Sequence, residues 1–279
     1  MAVTVTTGVT KAELRRRVAR RLRDWVGLVA TGTSSGLSTF TDEDNLYAQA
    51  GSLVTAQVKI MTGHADNVGL IRRVASNIPG TLTFARDLPQ PAAEGDTADL
   101  VNVSGRGYPF RTYDEVLAEV LDSTRSDFHI PISSTITPDF DGETPLITLP
   151  ADFAIVYALE YADGYDTYGL GPARTRSAHA EGWFAEGDGV LRLEGRWRWA
   201  ASGFPITVYG YGPHPAAPED DDLIALDSEW FILACASRLG QMRTGDREWS
   251  QWAAQWTQEA NGRRLAMATA YEPDSRQVR

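Results

Sequence analysis

The sequence predicts an α+β chain: a four-helix bundle assembled from helices at both ends and the middle of the chain, with two inserted antiparallel β modules of small barrel or sandwich type. Three observations carry that expectation. Four segments place apolar residues at spacings of three and four, which gives a helix one buried face. Two intervening blocks change to an alternating period, with turn residues between short runs. Each helical segment is too short to be stable alone, so the four are expected to bury their stripes against one another.

The first helix opens at Thr10, with Glu13 three residues on in capping-box spacing. Leu14, Val18, Leu22, Trp25 and Val29 continue the stripe, and arginines fill the other faces. The run Thr31-Gly-Thr-Ser-Ser-Gly36 ends it by turn chemistry. Residues 37–103 read as the first inserted β module, with strands expected at 53–61, 69–75, 80–85 and 97–103. Thr81-Leu-Thr-Phe84 shows the clearest alternation, and the segment 88–95 is an irregular connector.

Residues 104–127 return to helix, and with residues 1–36 they are assigned to the bundle. Thr112 and Glu115 repeat the capping box, and Val116, Leu117, Val120 and Leu121 share one side. Residues 128–212 form the second antiparallel β module. Its first part, up to 150, reads as proline-rich and irregular, and strands are expected at 154–161, 191–199 and 205–211. From 191 to 199 the odd positions are Leu, Leu, Gly, Trp, Trp and the even ones Arg, Glu, Arg, Arg, one buried and one wet face. After a stiff acidic connector, residues 213–270 supply the closing helical pair, roughly 228–242 and 246–268 with Gly245 between. Trp249, Trp252 and Trp256 stripe the last helix, and Ala253 and Ala260 leave room for close packing. Residues 271–279 are a polar tail.

The 279 residues carry a net charge of −11, which argues against a general nucleic-acid binder. The charge is uneven. Between residues 11 and 23, six arginines and Lys11 oppose Glu13 alone, a local +6 that leaves −17 for the rest. The functional reading of Arg15, Arg16, Arg17, Arg20, Arg21 and Arg23 is a contact with an acidic partner subunit or with passing DNA phosphates, and overall acidity favours the protein partner. The bland reading is a solvated helix face. Cys235 stands alone in an apolar run, so no disulfide framework is expected, only a buried thiol. The first residues have no charged region leading into an apolar run, so no signal peptide is expected. No stretch approaches membrane-spanning length.

No catalytic set emerges. His64, His129, His179 and His214 lack a second His or Cys at metal-ligand spacing. His179-Ala-Glu181 matches half of a zinc-deaminase signature, whose Pro-Cys-x-x-Cys partner one cysteine excludes. Gly32-Thr-Ser-Ser-Gly36 fits the letters of a nucleophile elbow, but a helix precedes where a strand is needed. Pairs such as Asp139 with Asp141 or Glu181 with Glu186 would need to face a cleft to act as a glycosidase. The acids from Glu219 to Asp222 fit a linker ahead of a helix N-terminus. Trp183, Trp197 and Trp199 fit core or interface packing, or a sugar-stacking platform on a carbohydrate-binding module. No metal or cofactor is expected, and the chain reads as a fitting rather than an enzyme.

Three stretches carry a resemblance. The first holds Gly63, Ile71-Arg-Arg-Val74, Gly80-Thr-Leu-Thr-Phe84 and Pro91-Ala-Ala-Glu-Gly-Asp-Thr97. The second is Ile147-Thr-Leu-Pro-Ala-Asp-Phe153. The third joins Tyr209-Gly-Tyr-Gly-Pro213 to the acidic linker and the closing helices. Together they resemble the tailed-bacteriophage head-to-tail adaptor (neck or connector) proteins. The resemblance implies a virion protein assembled in the host cytoplasm. It further implies a ring, usually of twelve copies, docked under the portal protein. The β part would face a tail-side neck or stopper protein, and double-stranded DNA would pass through the channel without sequence-specific binding. It also implies that Asp274, Ser275, Arg276, Gln277, Val278 and Arg279 reach into the portal. No membrane partner is implied.

Overall fold

The computed structural model describes residues 5, 8–34, 36–103, 107–125, 128–140, 145–162, 175–179, 183–187, 189–193, 205–243 and 245–271. Their elements are mixed α+β, with four helices among several antiparallel sheets. The strands are β1 (Val9–Thr10), β2 (Trp25–Val29), β3 (Thr39–Thr41), β4 (Gln57–Ile60), β5 (Ile71–Ile78), β6 (Thr81–Phe84), β7 (Thr97–Val101) and β8 (His129–Ile136). They continue with β9 (Asp139–Phe140), β10 (Pro145–Thr148), β11 (Ile155–Ala162), β12 (Thr175–His179), β13 (Trp183–Gly187), β14 (Val190–Leu193), β15 (Ile206–Pro213) and β16 (Leu223–Ile224). The helices are α1 (Lys11–Arg21), α2 (Phe110–Asp122), α3 (Ser228–Gln241) and α4 (Arg247–Tyr271). The chain divides into two compact units, Ala12–Glu119 with Phe231–Ala260, and Met1–Lys11 with Val120–Trp230 and Asn261–Arg279.

In the unit containing Ala12–Glu119, six strands pair in the order β2-β7-β4-β5-β6-β3, an antiparallel half-barrel. Its edges meet at one end, where Thr31 N–H donates to Thr41 O (3.0 Å) and Val29 N–H to the Asp42 carboxylate (2.8 Å). Alternation sends Leu28, Ala98, Leu100, Val58, Ile60, Val74, Leu82, Phe84 and Phe40 into one core. Each large side chain fully buried there contributes about 1.5–3 kcal/mol. β5 carries a bulge between Val74 and Ser76, which turns Asn77 inward. There its Oδ1 accepts from Leu53 N–H (2.9 Å) and its Nδ2 donates to Gln49 O (2.9 Å).

Several expectations need correction. The first helix stops at Arg21, and Trp25 and Val29 lie on β2, where Val29 is exposed rather than core. The stop is a left-handed cap at Arg23 (φ 55°). Asp24 N–H reaches back to Ala19 O and Arg23 N–H to Arg20 O, both at 2.9 Å. β2 therefore joins the β module from ahead of residue 37. Residues 53–55 are turn, so the strand expected from 53 begins at Gln57. α2 starts at Phe110, two residues before the Thr112 box, and Glu115 accepts from Arg111 (2.6 Å). Its stripe of Val116, Leu117, Val120 and Leu121 is buried.

The second unit holds two four-stranded antiparallel sheets, β12-β11-β15-β8 and β13-β14-β10-β9. Ile136, Leu159, Ile206 and Val208 from one sheet share a core with Ile147, Leu191 and Leu193 from the other, as in a sandwich. The segment expected to be irregular up to 150 holds β8, β9 and β10 instead. β8 alternates strictly, with Ile130, Ile132, Ser134 and Ile136 buried. Pro131 is tolerated because β8 is an edge strand, whose outer N–H groups need no partner in the ladder.

His214 is 1% exposed in this unit. Its Nε2 accepts from Ala225 N–H (3.0 Å), so Nδ1 holds the proton and donates to Pro215 O (2.7 Å). Burial lowers its pKa below the ordinary 6.5, and nearby Arg125 acts in the same direction. A histidine depressed in the folded state takes up a proton more readily when unfolded, so stability falls as pH drops through 6.5. The melting temperature should therefore fall between pH 7.5 and 5.5, with a shallower slope in His214→Gln, as calorimetry over that range would show.

Candidate functional site

The arginine-rich helix is the sequence's main candidate, and the fold gives its six arginines unequal surroundings. The α1 stripe of Leu14 and Val18 is fully buried, and Arg15 beside it turns into the protein. Arg15 is 1% exposed, donates to Asp114 of α2 at 2.7 Å and lies 5.5 Å from the Phe110 ring centre. Arg16 donates through Nε to both oxygens of Asp99 on β7 (2.9 and 3.0 Å), which also accepts from Trp25 Nε1 (3.1 Å). Arg17 pairs with Glu13 one turn back at 2.9 Å. Arg20 stacks 4.0 Å over Trp25, and Arg23 stands 5.9 Å over Trp252 of α4. Arg21 reaches Glu259 of α4 at 3.3 Å. Arginines do not simply coat the outer faces: Arg15 is interior, Arg16 and Arg17 are partly covered, and Arg20, Arg21 and Arg23 are exposed.

Helix contacts within this unit run pairwise through the four helices. Arg15–Asp114 joins α1 to α2, and Arg238–Glu119 joins α3 to α2. Ser237 Oγ meets Thr257 Oγ1 at 2.6 Å between α3 and α4, and Arg21–Glu259 returns from α4 to α1. A Cβ on Gly240 would come 2.9 Å from the Ala253 Cβ, so close approach of α3 and α4 requires glycine there. Asp227 and Asp246 cap α3 and α4 through Trp230 N–H (2.7 Å) and Trp249 N–H (3.3 Å). Trp249 and Trp256 are buried, with ring centres 6.3 Å apart, edge to face.

A second polar centre was hidden from sequence reasoning. Asp24, 2% exposed, accepts from Val103 N–H (3.0 Å), Tyr108 N–H (3.0 Å) and Tyr113 Oη (2.8 Å). A Cβ on Gly107 would fall 1.9 Å from the same carboxylate, so only glycine fits. Burial raises the Asp24 pKa, and its hydrogen bonds partly offset that. Tyr113 is raised by burial first and by the Asp24 charge second. Tyr108 Oη donates to Leu239 O (2.6 Å) and accepts from Arg243 Nε (3.2 Å), while Arg243 lies 3.7 Å over Trp249. The only available signal was an acid directly after a basic helix, with no spacing linking it to residues 103–113.

Asp274, Ser275, Arg276, Gln277, Val278 and Arg279 lie outside the described residues, as do Asp141, Glu181, Trp197 and Trp199. Among the described residues, no cluster of three His, Cys, Asp or Glu could hold a metal ion, and no helix is long and apolar enough to cross a membrane. Cys235 is fully buried and its thiol pKa is raised by that burial, so it is poorly suited to be a nucleophile. The arrangement offers charge pairing and packing. No protein-family model matches the chain, and no curated protein matches it either.

Asp114→Ala takes one partner from the buried Arg15 guanidinium, so it should cost about 2 kcal/mol in urea unfolding. Glu259→Ala, which breaks a half-exposed pair, should cost under about 1 kcal/mol.

Proposed function

We propose that this chain is a structural subunit of a tailed-phage virion, a head-to-tail adaptor whose copies form a ring between the portal protein and a tail-side neck or stopper protein. In this reading the four helices form a bundle that docks on the portal, and the β modules are looped out of it. The observation that carries the reading is the set of pairwise contacts α1–α2, α2–α3, α3–α4 and α4–α1, which draws helices from both ends and the middle of the chain together. A bundle against the portal, with the β part toward the tail, is the arrangement that the family resemblance implies.

The charge distribution supports the same reading. A ring subunit meets its neighbours through unlike faces, so opposite charges on different surfaces are expected. Arg20 and Arg21 at the end of α1 and Arg23 just after it remain exposed and are the arginines best placed for an acidic neighbour. An overall charge of −11 suits a channel along which DNA slides without sticking. Residues 274–279 would enter the portal.

The test is the mass of the purified chain, alone and mixed with the portal protein, by light scattering. The expected result is a defined ring, formed alone or on the portal, whose portal binding weakens when residues 274–279 are removed. A monomer that ignores the portal would overturn the assignment.

A further inference from the structure

The β5–β6 hairpin carries two exposed patches of unlike character at its two ends. At its turn, Ile78 is 60% exposed. The loop from Leu46 to Gly51 runs alongside, held by Gly80 N–H to Leu46 O (2.8 Å) and Gly51 N–H to Asn77 O (3.0 Å). That places Tyr47, 79% exposed, beside the turn, with Val54 exposed after it. Glu43 lies against the same turn, its Cγ 3.5 Å from where a Gly80 Cβ would stand, and Asp44 follows it. No lysine or arginine occurs between residues 42 and 55. This end is apolar and acidic.

The open end of the hairpin is apolar and basic. Ile71 and Val68 are exposed there, with Arg72, Arg73 and Arg86 against Asp87 and, two residues before Val68, Asp66 beside His64. Ala85 N–H bonds to Arg73 O (2.9 Å), which brings Arg86 beside Arg73. The bulge after Val74 keeps Ile71, Arg73 and Ile78 on one outward face, because Val74 and Asn77 are the buried positions. Seven residue steps separate Ile71 from Ile78, so the patches stand roughly 20 Å apart along the strand. Glu43, Asp44, Arg72, Arg73 and Arg86 make no ion pair among the described residues, whereas α1 and α2 have most of their charges paired.

Isolated exposed apolar residues are ordinary, but two clusters with opposite unpaired charge at opposite ends of one hairpin are complementary to each other. They cannot meet within one molecule, because one strand separates them. We propose that the partner of each is the other patch on a second copy. The acidic turn of one hairpin docks on the basic open end of the next, a head-to-tail contact. Such a contact is heterologous, so it repeats from copy to copy and closes only if the rotation per copy allows. The interface rests on the ring reading for that closure, and on the hairpin's own chemistry for its contact. Exposed charges are screened by salt, so the contact should weaken as salt rises from 0.05 to about 0.5 M.

The experiment uses the full chain carrying Tyr47→Cys or Ile71→Cys and a short bis-maleimide cross-linker. Cys235 is buried and remains silent. The expected result is covalent dimer in the mixture of the two variants and little with either alone. Arg73→Glu with Arg86→Glu should cut it about tenfold, and Glu43→Lys with Asp44→Lys in the other copy should restore it. No cross-link above that of the unmodified chain, equal cross-linking of each variant with itself, or indifference to charge reversal would each overturn the proposal. The double variant Tyr47→Cys/Ile71→Cys separates this interface from the ring. A ladder ending at a fixed size supports both. A ladder without limit supports the contact and overturns the closed ring. A ring mass by light scattering with no cross-link overturns the contact alone.

Discussion

The carboxylate of Asp24 is the constraint on which the junction between helix and β module depends. It sits where α1 ends, one residue past the left-handed Arg23, and the backbone turns there into β2. The same group holds Val103, where the module's last strand has finished, and Tyr108 and Tyr113, where α2 begins. One buried anion thus fixes both the departure of the chain into the module and its return. Leaving that carboxylate without donors would strand a charge away from water, so the three contacts stand or fall together. Tyr108 extends the arrangement to the end of α3 through Leu239 O, and Arg243 carries it to Trp249 of α4.

Around this junction the protein uses its charges in two ways. On α1 they are mostly engaged within the chain: Arg15 and Arg16 are matched to Asp114 and Asp99, and Arg20, though exposed, covers Trp25. A helix that reads as a basic patch in sequence is largely a set of ties to α2, β7 and α4. At the β5–β6 hairpin the charges make no ion pair among the described residues, Arg72 donating only to the carbonyls of Asp87 and Ile71, and they separate into an acidic turn and a basic open end. The first pattern ties the fold together, and the second is the one on which the proposed contact between copies rests.

Helix positions were legible because their stripes are buried one-sidedly: Leu14 and Val18 in α1, Val116 and Leu117 in α2, and the tryptophans of α4. The end of α1 was not. Left-handed caps are normally signalled by glycine, and here the residue is arginine, while Trp25 and Val29 happen to continue a helical spacing that β2 overrides. β8 was obscured by Pro131, whose cost disappears at a sheet edge, a property of topology rather than of local sequence. The candidate site was legible as a cluster of arginines but not in its division. Arg15 looks like its neighbours until Asp114, 99 residues away, is placed beside it. Asp24, Gly107, Tyr113 and Arg243 share no spacing at all, so their meeting could only be seen in three dimensions.

Amide hydrogen exchange on the wild-type chain and on Asp24→Asn tests the junction most directly. The half-barrel has its own core, so the account predicts a local effect: faster exchange at Val103, Tyr108 and the first turn of α2, with Val74 and Leu82 unchanged. Unaltered protection at Val103 and Tyr108, or an equal rise throughout the half-barrel, would contradict it.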